Sequence, residues 1–155
     1  MSGPFAQIAN QATTAASNKT AGSLIGAATV APKLYDFSVS ASGSPADNVI
    51  IYTLQRSTVD GTGTTVTPTS ISQSPGIVTP IAALCTTKSN YTAEPTYTAG
   101  VVIWSQGINQ RSAFRWVAVP GGEVVIPAIA AAGLGFQVKS AGYAGQCDVS
   151  YHWLE

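Results

Sequence analysis

Few side chains in this sequence have the type or spacing that chemistry requires. The single histidine, His152, stands between Tyr151 and Trp153 on the polar side of its segment, with no second imidazole to share a metal. Cys85 and Cys147 lack the paired spacing of a zinc site and are expected to be small buried hydrophobes, although one disulfide between them stays open. The acids Asp36, Asp47, Asp60, Glu94, Glu123, Asp148 and Glu155 are dispersed. Asp36 and Asp148 each fall on the polar side of a strand pattern and would be neighbours if those strands pair; two carboxylates so placed are the minimum for glycoside hydrolysis. Asp60-Gly61-Thr62-Gly63 lacks the oxygen series of a calcium loop, and Gly133-Leu134-Gly135 lacks the third glycine of a dinucleotide fingerprint. No catalytic residue, metal ligand or cofactor is therefore expected. Arg115 shares a face with Ala113, Val117 and Val119. It either lies over those small apolar side chains or makes an intersubunit ion pair, with Glu123 or Glu94 as partner.

Composition narrows the function classes further. Charged residues make up 9% of the chain, against about 25% in typical soluble domains, and the formal net charge is zero. A neutral surface offers little resistance to self-association. The seven cations are scattered from Lys19 to Lys139, whereas nucleic-acid binding needs them clustered. The apolar stretch from Val124 to Phe136 is too short to span a membrane and is broken by Pro127, Gly133 and Gly135. The first residues have neither the basic nor the apolar region of a secretory signal, so synthesis and residence in a cytoplasm are expected.

The elements that must position these residues have the two-residue period of strands. Tyr35, Phe37 and Val39 alternate with Leu34, Asp36, Ser38 and Ser40 after Lys33, which predicts a half-buried strand with one polar face. Val49–Gln55 is apolar at both parities at its start, Val101–Gln106 and Phe136–Ser140 are further strands, and Gln146–Leu154 alternates cleanly. Gly43–Asn48, Asp60–Gly63, Ser74–Gly76 and Gly142–Gly145 supply turns. Ile77–Leu84 fits helix and strand equally, and Ser89–Gly100, polar and containing Pro95, is expected to be a long surface loop. Phe114 and Trp116 mark a strand that turns at Pro120-Gly121-Gly122 into a second strand over Glu123–Ile126; this predicts a tight hairpin whose aromatic pair seeds the core, with Trp104 and Trp153 also core-facing. The predicted fold is all-β, an antiparallel β-sandwich or jelly roll of about eight strands. Residues 33–155 form the domain, and residues 1–32, rich in Ala, Thr, Ser, Asn and Gln, form an N-terminal arm, either a frayed terminus or an extended arm that orders on a neighbouring subunit with Phe5 and Ile8 as anchors.

The wording RSAFRWVAVPGGE over Arg111–Glu123, the VVIPAIAAAGLGFQVKSAGYAG that follows, and KLYDFSVSASGSPADNVIIYTLQRST from Lys33 resemble small virion proteins of tailed bacteriophages, usually head decoration (cement) or related capsid-associated proteins. The resemblance covers Leu34–Glu155. It implies a β-sandwich that oligomerises, often as a trimer, on the capsid exterior and clamps major capsid subunits; such a protein would be made in the host bacterial cytoplasm and would bind neither nucleic acid nor membrane. Phe5, Ile8, Arg111, Arg115 and Glu123 are the candidate interface residues. A tail, fibre or neck component is the neighbouring alternative, and a carbohydrate-binding β-sandwich with exposed aromatics is the alternative from another class.

Overall fold

The computed structural model describes residues 3–13, 17–71, 81–139 and 143–155. Its strands are β1 (Pro4–Ala12), β2 (Asn18–Ile25), β3 (Lys33–Ser42), β4 (Val49–Val59), β5 (Thr62–Val66), β6 (Thr69–Ser70), β7 (Thr86–Ala93), β8 (Thr96–Asn109), β9 (Ala113–Val117), β10 (Val124–Val125), β11 (Gly133–Lys139) and β12 (Gln146–Leu154). They form two antiparallel sheets. The first runs β10-β3-β12-β1-β6, with β9 beside β10 on the same edge of β3; the second runs β5-β7-β2-β11-β4-β8. Their inner faces meet in one core, built from Phe5, Phe37, Val39, Val149, Tyr151 and Trp153 on one side and Leu24, Ile50, Leu54, Leu134, Phe136 and Val138 on the other. The all-β sandwich expected from the strand pattern is the fold observed, with twelve strands among the described residues in place of about eight. No helix among these residues is long and apolar enough to cross a membrane.

The N-terminal arm is a correction. β1 pairs with β12 from Pro4↔Leu154 to Ala12↔Gln146, and β2 lies between β7 and β11 in the middle of the other sheet. Phe5 is 1% exposed and stacks on Trp153 with ring centroids 5.7 Å apart, so it anchors its own chain and not a neighbour. The arm reading failed because β1 alternates with polar residues inward: Phe5, Gln7, Ala9, Gln11 and Thr13 are buried, while Ile8 faces out. Those glutamines are satisfied across the sandwich. Thr87 Oγ1 donates to Gln7 Oε1 at 3.3 Å, and the Tyr91 amide donates to Gln11 Oε1 at 2.8 Å. In β2 the inner face is kept thin by glycine: a Cβ on Gly22 would lie 2.7 Å from that of Ala9 on β1.

Ser89–Gly100 is a second correction. Its residues finish β7 and begin β8, and with β4 and β5 they make one long antiparallel ribbon whose register passes through Val59↔Thr96 to Thr62↔Ala93. The ribbon places β4 beside β11 and β7 beside β2, so it bends across the outer face of the β2–β11 pair. Its bend, at Asp60-Gly61 opposite Glu94-Pro95, is fastened by polar contacts. The Thr20 amide donates to Glu94 Oε2 at 2.8 Å, Lys88 Nζ lies 2.6 Å from Asp60 Oδ2, and the Tyr91 hydroxyl donates to Asp60 Oδ1 at 3.1 Å. Gly135 makes room for the crossing, because any Cβ there would collide with the Tyr97 ring. Thr, Ser and Tyr satisfy this layer, which is why its polar sequence resembles a loop.

The hairpin at Pro120 is also corrected. The turn itself forms, with Gly121 at φ +83° and the Gly122 amide donating to Val119 O at 2.8 Å. The strands on either side, however, do not pair with each other. β9 and β10 follow one another along the edge of β3, as Phe37↔Trp116 and Leu34↔Val124, and the Ala118 amide continues the ladder to Tyr35 O at 2.8 Å. The turn is an outward excursion from a single edge strand. Phe114 and Trp116 are consequently half-buried at the side of the sandwich and do not seed its centre. The Ser74–Gly76 turn, the first half of Ile77–Leu84 and the start of Gly142–Gly145 fall outside the described residues.

Burial of β1 sets an expected outcome. Phe5→Ala should cost about 3–5 kcal/mol, the usual loss for a buried aromatic, read by urea unfolding. A variant that unfolds at the wild-type midpoint would remove β1 from the core.

Candidate interaction surface

β3 holds the one concentrated group of charges on the first sheet. A register shift in β12 between His152 and Trp153 changes the parity of the facing strand, so Leu34, Phe37 and Val39 point inward and Asp36 is enclosed at 4% exposure. Arg115, reaching from β9, donates Nε to Asp36 Oδ1 at 3.0 Å and Nη2 to Oδ2 at 2.5 Å. His152, opposite Asp36 on β12, brings Nδ1 to 3.1 Å from Oδ2. The hydrogen bonds from Arg115 hold the Asp36 carboxyl below its ordinary value; burial opposes this and His152 assists it. A bidentate arginine and an imidazole leave this carboxylate little capacity to act as a base. The group instead ties β9 to β3 and β3 to β12.

Within its own chain Arg115 is paired with Asp36, a partner that neither reading named, and its side chain stays exposed, as the first reading expected. Glu94 is engaged with Thr20 and stands 3.5 Å from Lys19, and Glu123 accepts from the Gly121 amide at 3.3 Å, closing its own turn. Backbone N–H groups of Glu123 and Gly121 lower the Glu123 carboxyl. Arg111 is exposed beside the β8–β9 turn and donates Nε to Pro45 O at 3.3 Å. Ile8 is 71% exposed on β1 and borders an open cleft of about 460 Å³ with Gln7, Val66 and Thr69. The five candidate interface residues are thus not one patch. Phe5 is core, Ile8 lies on β1, and Arg111, Arg115 and Glu123 follow the β9–β10 edge.

Asp148 pairs with Ser40 and Asp36 with His152, so the two carboxylates lie on neighbouring strands but well apart along them. Cys85 and Cys147 are both buried and unbonded to each other. Burial pushes the Cys85 thiol up to about 12 and raises that of Cys147 as well, so neither is a ready nucleophile. Among the described residues no group of three His, Cys, Asp or Glu could hold a metal ion.

The lateral side of the sandwich, where β8 and β9 border their sheets, has a different character. No residue of β8 or β9 is fully buried. The strip between them is aromatic. Trp104 stacks on Phe114 at 5.0 Å, Phe37 meets Trp104 edge-on at 5.1 Å, and Trp116 stacks on Phe37 at 5.3 Å. Exposed Val101, Val102, Val117, Val119 and Val125 flank them. The fourteen residues of β8, TYTAGVVIWSQGIN, contain no charge and no proline, and their outer backbone edge has no neighbouring strand among the described residues. Natural proteins usually blunt such an edge with lysine, proline or a covering segment. Sequence reasoning missed this surface because it expects only Val101–Gln106 of β8 to be strand and gives Thr96–Gly100 to a loop. The missing charges over fourteen residues were the available signal.

No family model, curated protein or solved structure matches this chain.

The Asp36 group predicts a pH signature. Because its folded carboxyl titrates below the ordinary 3.8, its contribution is full at pH 5–7 and is lost as pH falls through the lowered value. Asp36→Asn should lower the melting temperature by about 2–4 °C at pH 7, and the gap from wild type should close in strong acid. A gap that stays constant down to the acid transition would show that the carboxylate carries no such charge interaction.

Proposed function

We propose that this chain is a structural virion protein, non-enzymatic, that decorates a tailed-bacteriophage head and stabilises it by clamping major capsid subunits. The lateral side is the observation that carries this proposal: an uncharged strand edge, a half-buried aromatic strip and exposed valines on a chain of zero net charge are the equipment of a protein that works by lying against other proteins. The resemblance of Leu34–Glu155 to small phage virion proteins supplies the class of partner. The rigid two-sheet body suits a clamp, since an interface already ordered costs little entropy to engage.

The carbohydrate-binding alternative rests on the half-exposed Trp104 and Trp116. Each has one ring face already covered, by Phe114 and Phe37 respectively, which leaves less of the flat platform that sugar stacking uses.

The experiment is reconstitution. Heads of the encoding phage, assembled without this protein, are mixed with the purified chain and pelleted. Saturable binding to heads and not to isolated tails is expected. Occupancy should change little between about 0.05 and about 0.5 M NaCl, because the β8 edge carries no charge for salt to screen. Binding to tails alone, or retention on immobilised polysaccharide with no affinity for heads, overturns the proposal.

A further inference from the structure

We propose that β8 is a self-pairing edge: two copies of this chain join β8 to β8 in antiparallel register about a two-fold axis, continuing the β5-β7-β2-β11-β4-β8 sheet across the dimer. This goes beyond capsid attachment and does not depend on it.

The usable part of the edge is defined by its register. The irregularities in the β4–β8 pairing all fall between Leu54 and Val59, and the pairs from Leu54↔Trp104 to Val49↔Asn109 run without a break. Trp104–Asn109 is therefore a regular strand, hydrogen-bonded to β4 on one side and, among the described residues, open on the other. Such a strand presents alternating N–H and C=O groups, a pattern that its own copy complements after a two-fold rotation. A foreign strand would do so no better, and nothing in Thr96–Asn109 selects one by charge. Self-pairing also escapes the usual electrostatic objection, since no side chain of β8 meets its own like charge across the axis.

The surroundings extend the contact beyond the backbone. The ten residues Gly100–Asn109 are about 33 Å long, and the side of a two-sheet sandwich is roughly 20 Å wide, giving an area of about 650 Å² per copy. Stable interfaces bury about 600–1,000 Å² per partner, so the lateral side suffices without recruiting other surfaces. Its strip of Trp104, Phe114 and Trp116 would meet the same strip of the second copy, and half-exposed tryptophans flanked by aliphatic residues are typical centres of binding energy. Two-fold pairing differs from the three-fold assembly that the virion resemblance implies, and that difference makes the inference easy to test.

Sedimentation velocity and native mass spectrometry of the full chain should give a dimer of 15.8 kDa protomers, with a Kd of about 10 µM or tighter. Hydrogen exchange should show the amides of Trp104–Asn109 that point away from β4 protected in the dimer and released on dilution. Ser105→Lys with Gln106→Lys, both exposed positions, places like charges near the axis and should weaken self-association at least about 10-fold. An unchanged melting curve for the monomeric variant separates loss of pairing from loss of fold. If the double variant misfolds, wild-type exchange alone decides. A monomer at about 100 µM with those amides unprotected, a trimer, or a dimer protected on another edge overturns the inference. A monomer that still decorates heads refutes the pairing and leaves capsid attachment standing; a β8-paired dimer that ignores heads does the reverse.

Discussion

The pairing of β1 with β12 is the contact on which the rest of the molecule depends. β12 is the central strand of its sheet, with β3 on one side and β1 on the other, and it carries Val149, Tyr151 and Trp153 into the core. β1 completes its hydrogen bonding along nine residue pairs, covers Trp153 with Phe5, and sends Gln7 and Gln11 across to β7. Without β1, the inner edge of β12 would be bare and the two glutamine-mediated ties between sheets would be missing. The strand is only modestly apolar, yet its place between the sheets makes it structural in the fullest sense.

A second theme is how little charge the fold uses. The ribbon that bends across the β2–β11 pair is held by hydroxyls, amides and two ion pairs at its bend, and the other ion-paired group among the described residues, around Asp36, binds an edge strand to the strand beside it. Each lies where a chain segment must be fixed across a sheet and not merely along it. Glycine contributes by subtraction, since Gly22 and Gly135 let neighbouring layers approach where a side chain would hold them apart. Surface polarity is left largely to Thr, Ser, Asn and Gln, so the β8 edge can remain free of charge.

How much of this was legible in the sequence follows from which side chains face inward. β12 was read with its observed bounds because Cys147, Val149, Tyr151 and Trp153 alternate without interruption; β3 was recognised as a strand from Phe37 and Val39, but its inward set at Leu34 was not. β1 was not, because its inward set includes Gln7, Gln11 and Thr13, whose burial becomes favourable only once partners on other strands are known. Ser89 and Tyr91 misled in the same way. The Pro120-Gly121 turn was correctly anticipated as a turn, but turn chemistry fixes local geometry and not the strand that receives the returning chain. At the candidate surface, Arg115 stood out as a charge on a strand. Its partner Asp36 and the third member His152 emerged only from the pairing of β3 with both β9 and β12.

The order of the strands along the chain also bears on how the protein comes into being. Of the twelve strands described, β1 comes first along the chain and its main partner, β12, comes last. At a synthesis rate of about 5–20 residues per second, β1 waits roughly 7–30 s for β12 to be made, and β3 is equally without that neighbour. β2 waits almost as long for β11. During that interval the nascent chain carries several strands, the uncharged β1 among them, whose edges have no permanent occupant. Folding is therefore a closing event driven by the C-terminal strands, and the cell must keep early segments of neighbouring ribosomes' chains from pairing with one another before it occurs.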